Sequence, residues 1–233
     1  MPNITSDPAS PSAAATTPTV HRSVANQAIQ NYIGDAEAFI ITVSTDPEIH
    51  PVMEQHGYDS TELAAGTALL QTAADAFGVR LTGVAGKTGK QDDLVTASNH
   101  AREDYAAFRE IARAAFPAQA DRIGLGLTGN VPQDLQKFIT LAHTSYTNAK
   151  QDPWTTKMTT RNYAKARLDA LNADLTALTG SESASNIAAG AAEEDTAARD
   201  TAYNALKEWI KEAHGVARGA FRKNAGALTK LNL

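Results

Sequence analysis

The sequence repeats its own pattern of apolar, turn and glycine residues once. Residues 29–127 can be overlaid on residues 135–228 in three segments, with offsets of 106, 105 and 101 residues. The overlay matches Asp46 with Asp152, and each of these aspartates is followed by proline. A period of about 100 residues is much longer than the roughly 20–50 residues of a solenoid repeat. We therefore interpret the chain as two copies of a small helical bundle.

The composition favours closely packed helices. The chain contains 45 alanines and only 6% aromatic residues, and alanine is the strongest helix former and lets helix axes approach one another. No stretch alternates between apolar and polar residues as a strand does. No apolar run approaches the roughly 18 residues that would indicate a membrane-spanning helix. The sequence therefore predicts an all-α fold without a transmembrane segment.

Three main helices are predicted in the first copy. They cover about residues 23–44, 59–77 and 92–116, and the last two are joined by a glycine-rich link at residues 83–89. The third helix is predicted to end at Pro117, because proline cannot continue a helix. Asp59 is the predicted cap of the second helix, and Glu62 stands three residues later, as in a capping box.

The second copy is predicted to repeat this arrangement. Asn130 is the predicted cap of its first helix. Leucines at 168, 171, 175 and 178 form a seam with spacings of three and four residues, and residues 181–186 have the composition of a link. We predict a tandem duplication of a three-helix unit, packed as an antiparallel helical bundle. Its copies are residues 23–127 and 128–233.

The first 22 residues differ in composition from the rest of the chain. They are rich in proline, serine, alanine and threonine, with neither a basic start nor an apolar core like that of a secretory signal. We predict a disordered tail over residues 1–22. Cysteine is absent, which excludes disulfide bonds and thiolate chemistry. Without an export signal, the expected location is the cytoplasm.

The net charge of −5 is unevenly distributed along the chain. Residues 1–127 contain 8 Lys/Arg and 15 Asp/Glu, whereas residues 128–233 contain 13 and 11. This imbalance either guides a partner or reflects drift of solvated faces after duplication. Nucleic-acid binding is not expected, since the basic residues between 207 and 230 are interrupted by Glu208 and Glu212.

One segment carries residues of the types that bind metals. His50, Glu54 and His56 lie between the first two predicted helices. Two imidazoles and a carboxylate can hold a divalent transition metal and leave a position open for water or substrate. The spacing matches no standard metal motif, so polar residues at a turn between helices are the simpler interpretation.

A second motif resembles part of a phosphate-binding loop. Gly86, Lys87 and Thr88 match the end of G-x-x-x-x-G-K-[ST], in which backbone N–H groups cradle phosphates. The first glycine of that motif is replaced by Leu81, and no apolar strand precedes the loop. An inter-helix link is therefore the preferred interpretation.

A recurring arrangement carries a family resemblance. Gly57 and Tyr58 precede Leu63 and Gly66 at the start of a helix, and a Gly-Leu-Gly-Leu run ends the first copy at residue 127. This arrangement resembles uncharacterised bacterial all-helical proteins built from two related halves. The second copy departs from it, with leucine at the position that corresponds to Gly66. The resemblance implies a bacterial source and a helical bundle, and it supplies no activity or functional residues.

These observations favour a non-enzymatic helical scaffold, adaptor or assembly subunit that acts through protein–protein surfaces. The expected partner is another protein or a second copy of the chain, and a homodimer is one form of the latter. One alternative is a metal- or small-ligand-binding protein that uses His50, Glu54 and His56, with hydrolytic or redox chemistry there. Another is reversible binding to a lipid or polymer surface by alanine-rich amphipathic helices.

Overall fold

A computed structural model describes the backbone of residues 19–233 and the side chains of residues 26–233. The described chain is helical and contains no strand, which confirms the predicted all-α class. Most of the predicted tail, residues 1–18, lies outside the described residues. The helices are α1 (Thr19–Thr45), α2 (His50–Gln55), α3 (Ser60–Ala115), α4 (Gln119–Gly124), α5 (Leu135–Ala149), α6 (Thr155–Thr160), α7 (Lys165–Ala220) and α8 (Ala225–Lys230).

The order of helix lengths is nearly the same in the two halves of the chain. A six-residue helix, a 56-residue helix and another six-residue helix follow α1, and the same three lengths follow α5. The long helices α3 and α7 begin 105 residues apart and also end 105 residues apart. Only the first helices differ, because α1 has 27 residues and α5 has 15.

Both links predicted inside the copies are wrong. Residues 83–89 lie within α3, and residues 181–186 lie within α7. Each half of the chain therefore has one long helix where two were predicted. A glycine inside a helix costs only about 1 kcal/mol relative to alanine, so packing against another helix can keep such a stretch helical. Neither stretch contains proline, which would have ended the helix.

One continuous seam of residues runs along each long helix, with alternating spacings of three and four residues. Every seam residue except Gln91 is buried or partly buried. The two seams are 105 positions apart throughout, whereas the sequence overlay uses an offset of 101 for its last segment. The seams are 63, 66, 70, 73, 77, 80, 84, 87, 91, 94, 98, 101, 105, 108, 112 and 115 in α3, and 168, 171, 175, 178, 182, 185, 189, 192, 196, 199, 203, 206, 210, 213, 217 and 220 in α7.

Aspartate side chains cap two of the helices. Asp59 caps α3 as predicted, because its Oδ1 accepts hydrogen bonds of 2.9 Å from the N–H groups of Thr61 and Glu62. The predicted cap of α5, Asn130, is wrong, and Asp134 caps that helix instead. Residues 130–134 are not helical, and the carbonyl groups of residues 132 and 133 accept hydrogen bonds from Arg102 of α3.

The described residues form two compact units whose boundaries fall within α3 and α7. Unit 1 contains residues 19–77 and 199–233, and unit 2 contains residues 78–198. The two predicted copies meet between residues 127 and 128, whereas the two units divide within α3 and again within α7. Each unit has its own hydrophobic core.

The core of unit 1 joins α1, α2, the beginning of α3, the end of α7 and α8. It is mainly aliphatic, with aromatic contacts between α1 and α7. The rings of Tyr32 and Tyr203 lie 5.3 Å apart, and those of Phe39 and His214 lie 4.5 Å apart, both edge to face. The most buried residues of this core are Val43, Ile49, Met53, Leu206, Ala213 and Ala217.

The core of unit 2 is built around aromatic rings from α3, α5 and the segment before α7. Phe108 is fully buried, and its ring meets those of Tyr146 and Tyr163 edge to face at 4.9 and 5.3 Å. The hydroxyl groups of Tyr105 and Ser145 are hydrogen-bonded at 3.2 Å within this core. Edge-to-face contacts of this kind add to the stabilisation that ring burial provides.

Arginine side chains of α3 hold the segment between α4 and α5. Arg102 donates hydrogen bonds of 2.8 Å to the carbonyl oxygens of residues 132 and 133. Arg113 donates from Nε to the carbonyl of Leu127 at 3.1 Å, and Arg109 donates to the same carbonyl at 3.3 Å. Burial and the nearby Arg113 guanidinium lower the pKa of Arg109. These hydrogen bonds hold the non-helical segment between α4 and α5 on the surface of unit 2.

Candidate functional site

The three predicted metal ligands lie in and just after α2 and do not converge. His50 is the first residue of α2, and its Nδ1 lies 3.2 Å from the carbonyl oxygen of Val43. Glu54 and His56 are exposed. Among residues 26–233, no group of three or more His, Asp or Glu side chains is placed to hold a metal ion. The structure does not bring the predicted ligand set together, and metal binding by these residues stays a prediction.

The residues that resemble a phosphate loop lie in the middle of α3. Thr88 donates its hydroxyl to the carbonyl of Val84 at 3.0 Å, and Lys87 is partly buried in the seam. A phosphate cradle needs backbone N–H groups that are free to point at the ligand. Inside a helix these groups bind the carbonyls four residues earlier, so this segment does not form such a cradle.

A tryptophan lies over a glycine in unit 1. Trp209 donates its indole N–H to Oε1 of Glu62 at 2.6 Å. Its ring covers Gly66, where a Cβ atom would lie 2.5 Å from Cη2 of the indole. Tyr58 meets the same ring edge to face at 5.6 Å. This group, which we call the Trp209 clamp, joins the start of α3 to the end of α7.

The electrostatics of the Trp209 clamp keep its tyrosine protonated. Burial, together with the carboxylates of Glu212 and Glu62, raises the pKa of Tyr58 to about 12. The neutral phenol therefore does not act as a base near neutral pH. An open groove of about 630 Å³ lies beside Trp209, and Gly215 and Val216 also line it.

Unit 2 contains a similar clamp with different residues. Trp154 donates its indole N–H to Oδ1 of Asp121 at 3.0 Å. The ring lies over Gly124, where a Cβ atom would be 2.6 Å from Cζ2 of the indole. We call this group the Trp154 clamp. It fastens α4 to the residue before α6. Both clamps therefore have a structural role, because each joins separate segments of its own unit.

A groove lies between α5 and α7 in unit 2, and we call it the α5–α7 groove. It consists of two adjoining depressions of about 600 and 420 Å³, and both contact Thr179 and Ser183. Ile187 lines the first depression and is 70% exposed. Ile139 and Leu175 line the second depression. The groove therefore presents apolar side chains between hydroxyl groups.

The α5–α7 groove is open because α5 begins late. Gln136, in the first turn of α5, donates a hydrogen bond to Glu182 of α7. Asn186 and Ile187 lie a turn further along α7, past the start of α5, and both are exposed. This groove was not predicted from the sequence. The available signal was Ile187 within residues 183–192, which contain no charged side chain.

Large exposed apolar side chains are concentrated in unit 2. Six of the seven that the described residues contain belong to unit 2, and only Ile41 belongs to unit 1. Single exposed apolar residues are ordinary on a protein surface. Of the six in unit 2, Ile187 is the one that lines the α5–α7 groove. The six residues are Val79, Leu81, Val95, Ile111, Ile123 and Ile187.

Charge is separated between two segments of unit 1. Residues 23–77 contain eight Asp/Glu and no Lys/Arg, while residues 199–233 contain seven Lys/Arg and three Asp/Glu. Lys230 connects the segments, since its Nζ lies 3.0 Å from Asp46 and 2.8 Å from Glu48. The charge imbalance between the halves of the chain is visible in the sequence, but its concentration in one unit was not predicted.

No helix within residues 19–233 is both long and apolar enough to cross a membrane. Comparisons of the chain with protein-family models, with curated proteins and with solved structures give no match.

Proposed function

We propose that this chain is a non-enzymatic helical scaffold, adaptor or assembly subunit that binds other proteins through exposed helix faces. The observation that carries the proposal is the α5–α7 groove, in which Ile187 is 70% exposed. Amphipathic helices bind other proteins by laying their apolar side chains into grooves of this kind. Burying one exposed isoleucine contributes roughly 1.5–3 kcal/mol, which is enough for a central contact residue.

The scaffold is proposed to be a tandem duplication packed as an antiparallel bundle. The equal lengths of α3 and α7 and the constant offset of their seams support a duplicated origin. Contacts in unit 2 support antiparallel packing. Gln91 accepts a hydrogen bond from Ser185, Gly83 lies against Asp195, and Phe108 meets Tyr163, so partner numbers fall as α3 numbers rise.

The chemistry of the groove defines the partner. Its lining combines isoleucine, leucine, hydroxyl, amide and histidine side chains, and its acidic residue, Glu182, is already hydrogen-bonded to Gln136. A strongly charged peptide would lose solvation there without gaining an ion pair. The partner is therefore an amphipathic helix that offers an uncharged contact face with small and apolar residues.

Site-specific photo-crosslinking in cells of the natural source tests this proposal. A photoreactive residue at Asn186 samples the α5–α7 groove, while the same residue at Ala205 samples an exposed position of α7 in unit 1. We expect a discrete adduct from position 186 that disappears when Ile187→Glu is added. Position 205 should not give that adduct.

Two results would contradict the scaffold proposal. One is the absence of a discrete adduct from position 186, and the other is an adduct whose yield is unchanged by Ile187→Glu. Because Ile187 is exposed, this substitution should change the free energy of unfolding by no more than about 0.5 kcal/mol. Thermal unfolding of the purified variant checks that expectation.

A further inference from the structure

Two contacts define how α5 is aligned on α7. Gln136 donates a hydrogen bond to Glu182, and Nζ of Lys150 lies 2.7 Å from Oδ1 of Asp169. A step of 14 residues forward along α5 thus corresponds to a step of 13 residues backward along α7, so the two helices are antiparallel. One more helical turn at the start of α5 would therefore lie opposite residues 184–187 of α7.

That part of α7 is the open end of the α5–α7 groove. Asn186 and Ile187 line its first depression, of about 600 Å³, and Gln136 lines the same depression from α5. In a longer α5, Pro132 would lie on the same face as Gln136, because it precedes Gln136 by four residues. The added turn would cover Asn186 and Ile187 and fill the first depression.

The helix that corresponds to α5 in unit 1 already has such turns. The sequence overlay matches Ile29 of α1 with Leu135, the first residue of α5. The helix α1 begins at Thr19, which is ten residues before Ile29. A helix at this position of a unit can therefore continue past the point at which α5 begins.

The residues before α5 are held in a different conformation by hydrogen bonds to α3. Arg102 donates to the carbonyl oxygens of Pro132 and Gln133, both at 2.8 Å. In a longer α5 these two carbonyls would point along the helix axis and accept the N–H groups four residues later. The hydrogen bonds to Arg102 and the added turn of α5 therefore compete for the same carbonyl groups.

Only a short stretch has to move between the two arrangements. The carbonyl of Leu127 is held by Arg113 at 3.1 Å, and the carbonyl of Gly129 accepts a hydrogen bond from Arg109. Gly129 has a φ of +75°, and glycine changes such a backbone conformation at little steric cost. The chain before residue 130 can therefore stay on α3 while residues 130–134 turn about Gly129.

We infer that residues 130–134 form a strap that regulates the α5–α7 groove. In the open state, which the structure shows, Arg102 holds the strap and the groove accepts a partner helix. In the closed state, the strap is the first turn of α5 and occupies the first depression itself. The apparent affinity for a partner is then reduced in proportion to the fraction of chains that are open. This inference rests on the function proposed for the groove.

NMR spectroscopy of the purified full chain tests the strap directly. Arg102→Gln removes its hydrogen bonds to Arg102. Arg167→Gln is the matched control, because Arg167 also donates to a carbonyl and also lies 4.4 Å from a ring centroid. In Arg102→Gln alone, we expect helical Cα chemical shifts at residues 131–134. The amides of Leu135 and Gln136 should also exchange more slowly, since they gain helical acceptors. A strap that stays non-helical overturns the inference.

A second variant leaves Arg102 in place. Asp134→Ala removes the side chain that caps the short α5, so that Asn130, one turn earlier, is the remaining capping residue. The same helical shifts should appear, and the addition of Asn130→Ala should remove them. Arg102 also packs on Phe138, so Asp134→Ala decides the question if thermal unfolding shows that Arg102→Gln is not folded. A non-helical strap in Asp134→Ala then overturns the inference.

Thiol alkylation measures whether the strap closes the groove. The chain has no cysteine, so Asn186→Cys introduces a single thiol in the groove, and Ala205→Cys is the control at an exposed position of unit 1. If Arg102→Gln closes about 90% of the chains, alkylation slows about tenfold at position 186 and not at 205, because only open chains react. An unchanged rate at position 186 overturns the inference. No partner protein takes part in these measurements, so their failure leaves the groove proposal standing.

Discussion

Unit 1 and unit 2 use equivalent seam positions for different side chains. Tyr105 and Phe108 of unit 2 are 105 residues before Ile210 and Ala213 of unit 1, and all four are buried. Rings fill the centre of unit 2 and meet edge to face, whereas aliphatic residues fill the centre of unit 1. The spacing of a seam therefore determines which residues are buried, while their volumes are free to differ if neighbouring helices compensate.

The outer surfaces of the two units also differ. Unit 2 exposes six large apolar side chains, of which Ile187 lines the α5–α7 groove, and unit 1 separates positive from negative charge. Contacts made by such surfaces would differ in their response to salt, because apolar contacts are insensitive to moderate salt and charge contacts are not.

Removal of an aromatic ring from the core of unit 2 should have the largest effect on stability. Phe108→Ala empties the middle of the unit 2 core and should reduce the free energy of unfolding by about 3–5 kcal/mol. Amide hydrogen exchange should show faster exchange in α5 than in α8, because the lost contacts belong to unit 2. Equal acceleration in both helices would show that the units do not have separate cores.

The glycine under Trp209 should tolerate a methyl group poorly. Gly66→Ala places a Cβ atom against a ring that Glu62 holds by a hydrogen bond, and such overpacking costs about 1–3 kcal/mol. Gly86→Ala is the matched control, since no heavy atom lies within 4 Å of its added Cβ. That control should stabilise the helix by about 1 kcal/mol. Urea denaturation should show a lower free energy of unfolding for Gly66→Ala and a higher one for Gly86→Ala.

A histidine in unit 1 should make stability depend on pH. Burial lowers the pKa of His214 below its usual 6.5, and the nearby Arg218 guanidinium adds to this effect. The unfolded chain therefore binds a proton before the folded chain does, so stability should decline as the pH falls below about 6.5.

Replacement of this histidine separates its contribution from that of other groups. His214→Gln should reduce the difference in urea midpoint between about pH 7.5 and about pH 5.5. His143→Gln changes an exposed histidine of unit 2 and serves as the control. A pH dependence that remains the same in His214→Gln would contradict the assignment.

The smallest effect is expected from added metal ions. The segment that contains His50 in unit 1 corresponds to residues 155–161 of unit 2, which contain no histidine. Because His50, Glu54 and His56 do not converge, Zn²⁺ or Ni²⁺ should not raise the melting temperature. A rise that is absent in His50→Ala would instead establish a metal site in unit 1 alone and sharpen the contrast between the units.

The sequence predicted the features that depend on local chemistry. Asp59 caps α3, and the Asp-Pro pairs at 46 and 152 follow the ends of α1 and α5. These positions could be predicted because caps and proline breaks involve neighbouring residues only. The seam of α7 between Leu168 and Leu178 was also predicted, because its leucines are near neighbours along one helix.

Features that depend on distant partners were not predicted. The glycines near 83 indicated a link, yet Gly83 is the position at which the Asp195 side chain packs against α3. The middle of the seam escaped notice because it contains polar residues such as Lys87 and Gln91. The groove depends on the length of α5 relative to α7, which no local pattern reports. Propensity describes a segment in isolation, whereas packing over a hundred residues decides its structure.

The division of each long helix between the two units determines when each core can form during synthesis. All residues of the unit 2 core have been synthesised once Leu178 is added, but the unit 1 core still lacks Leu206, Ala217 and Leu231. The nascent chain must therefore carry the apolar faces of α1 and early α3 uncovered until the last part of α7 is made. A stop codon just before Leu206 would leave the amino-terminal helices without these packing partners, although every core residue of unit 2 would be present.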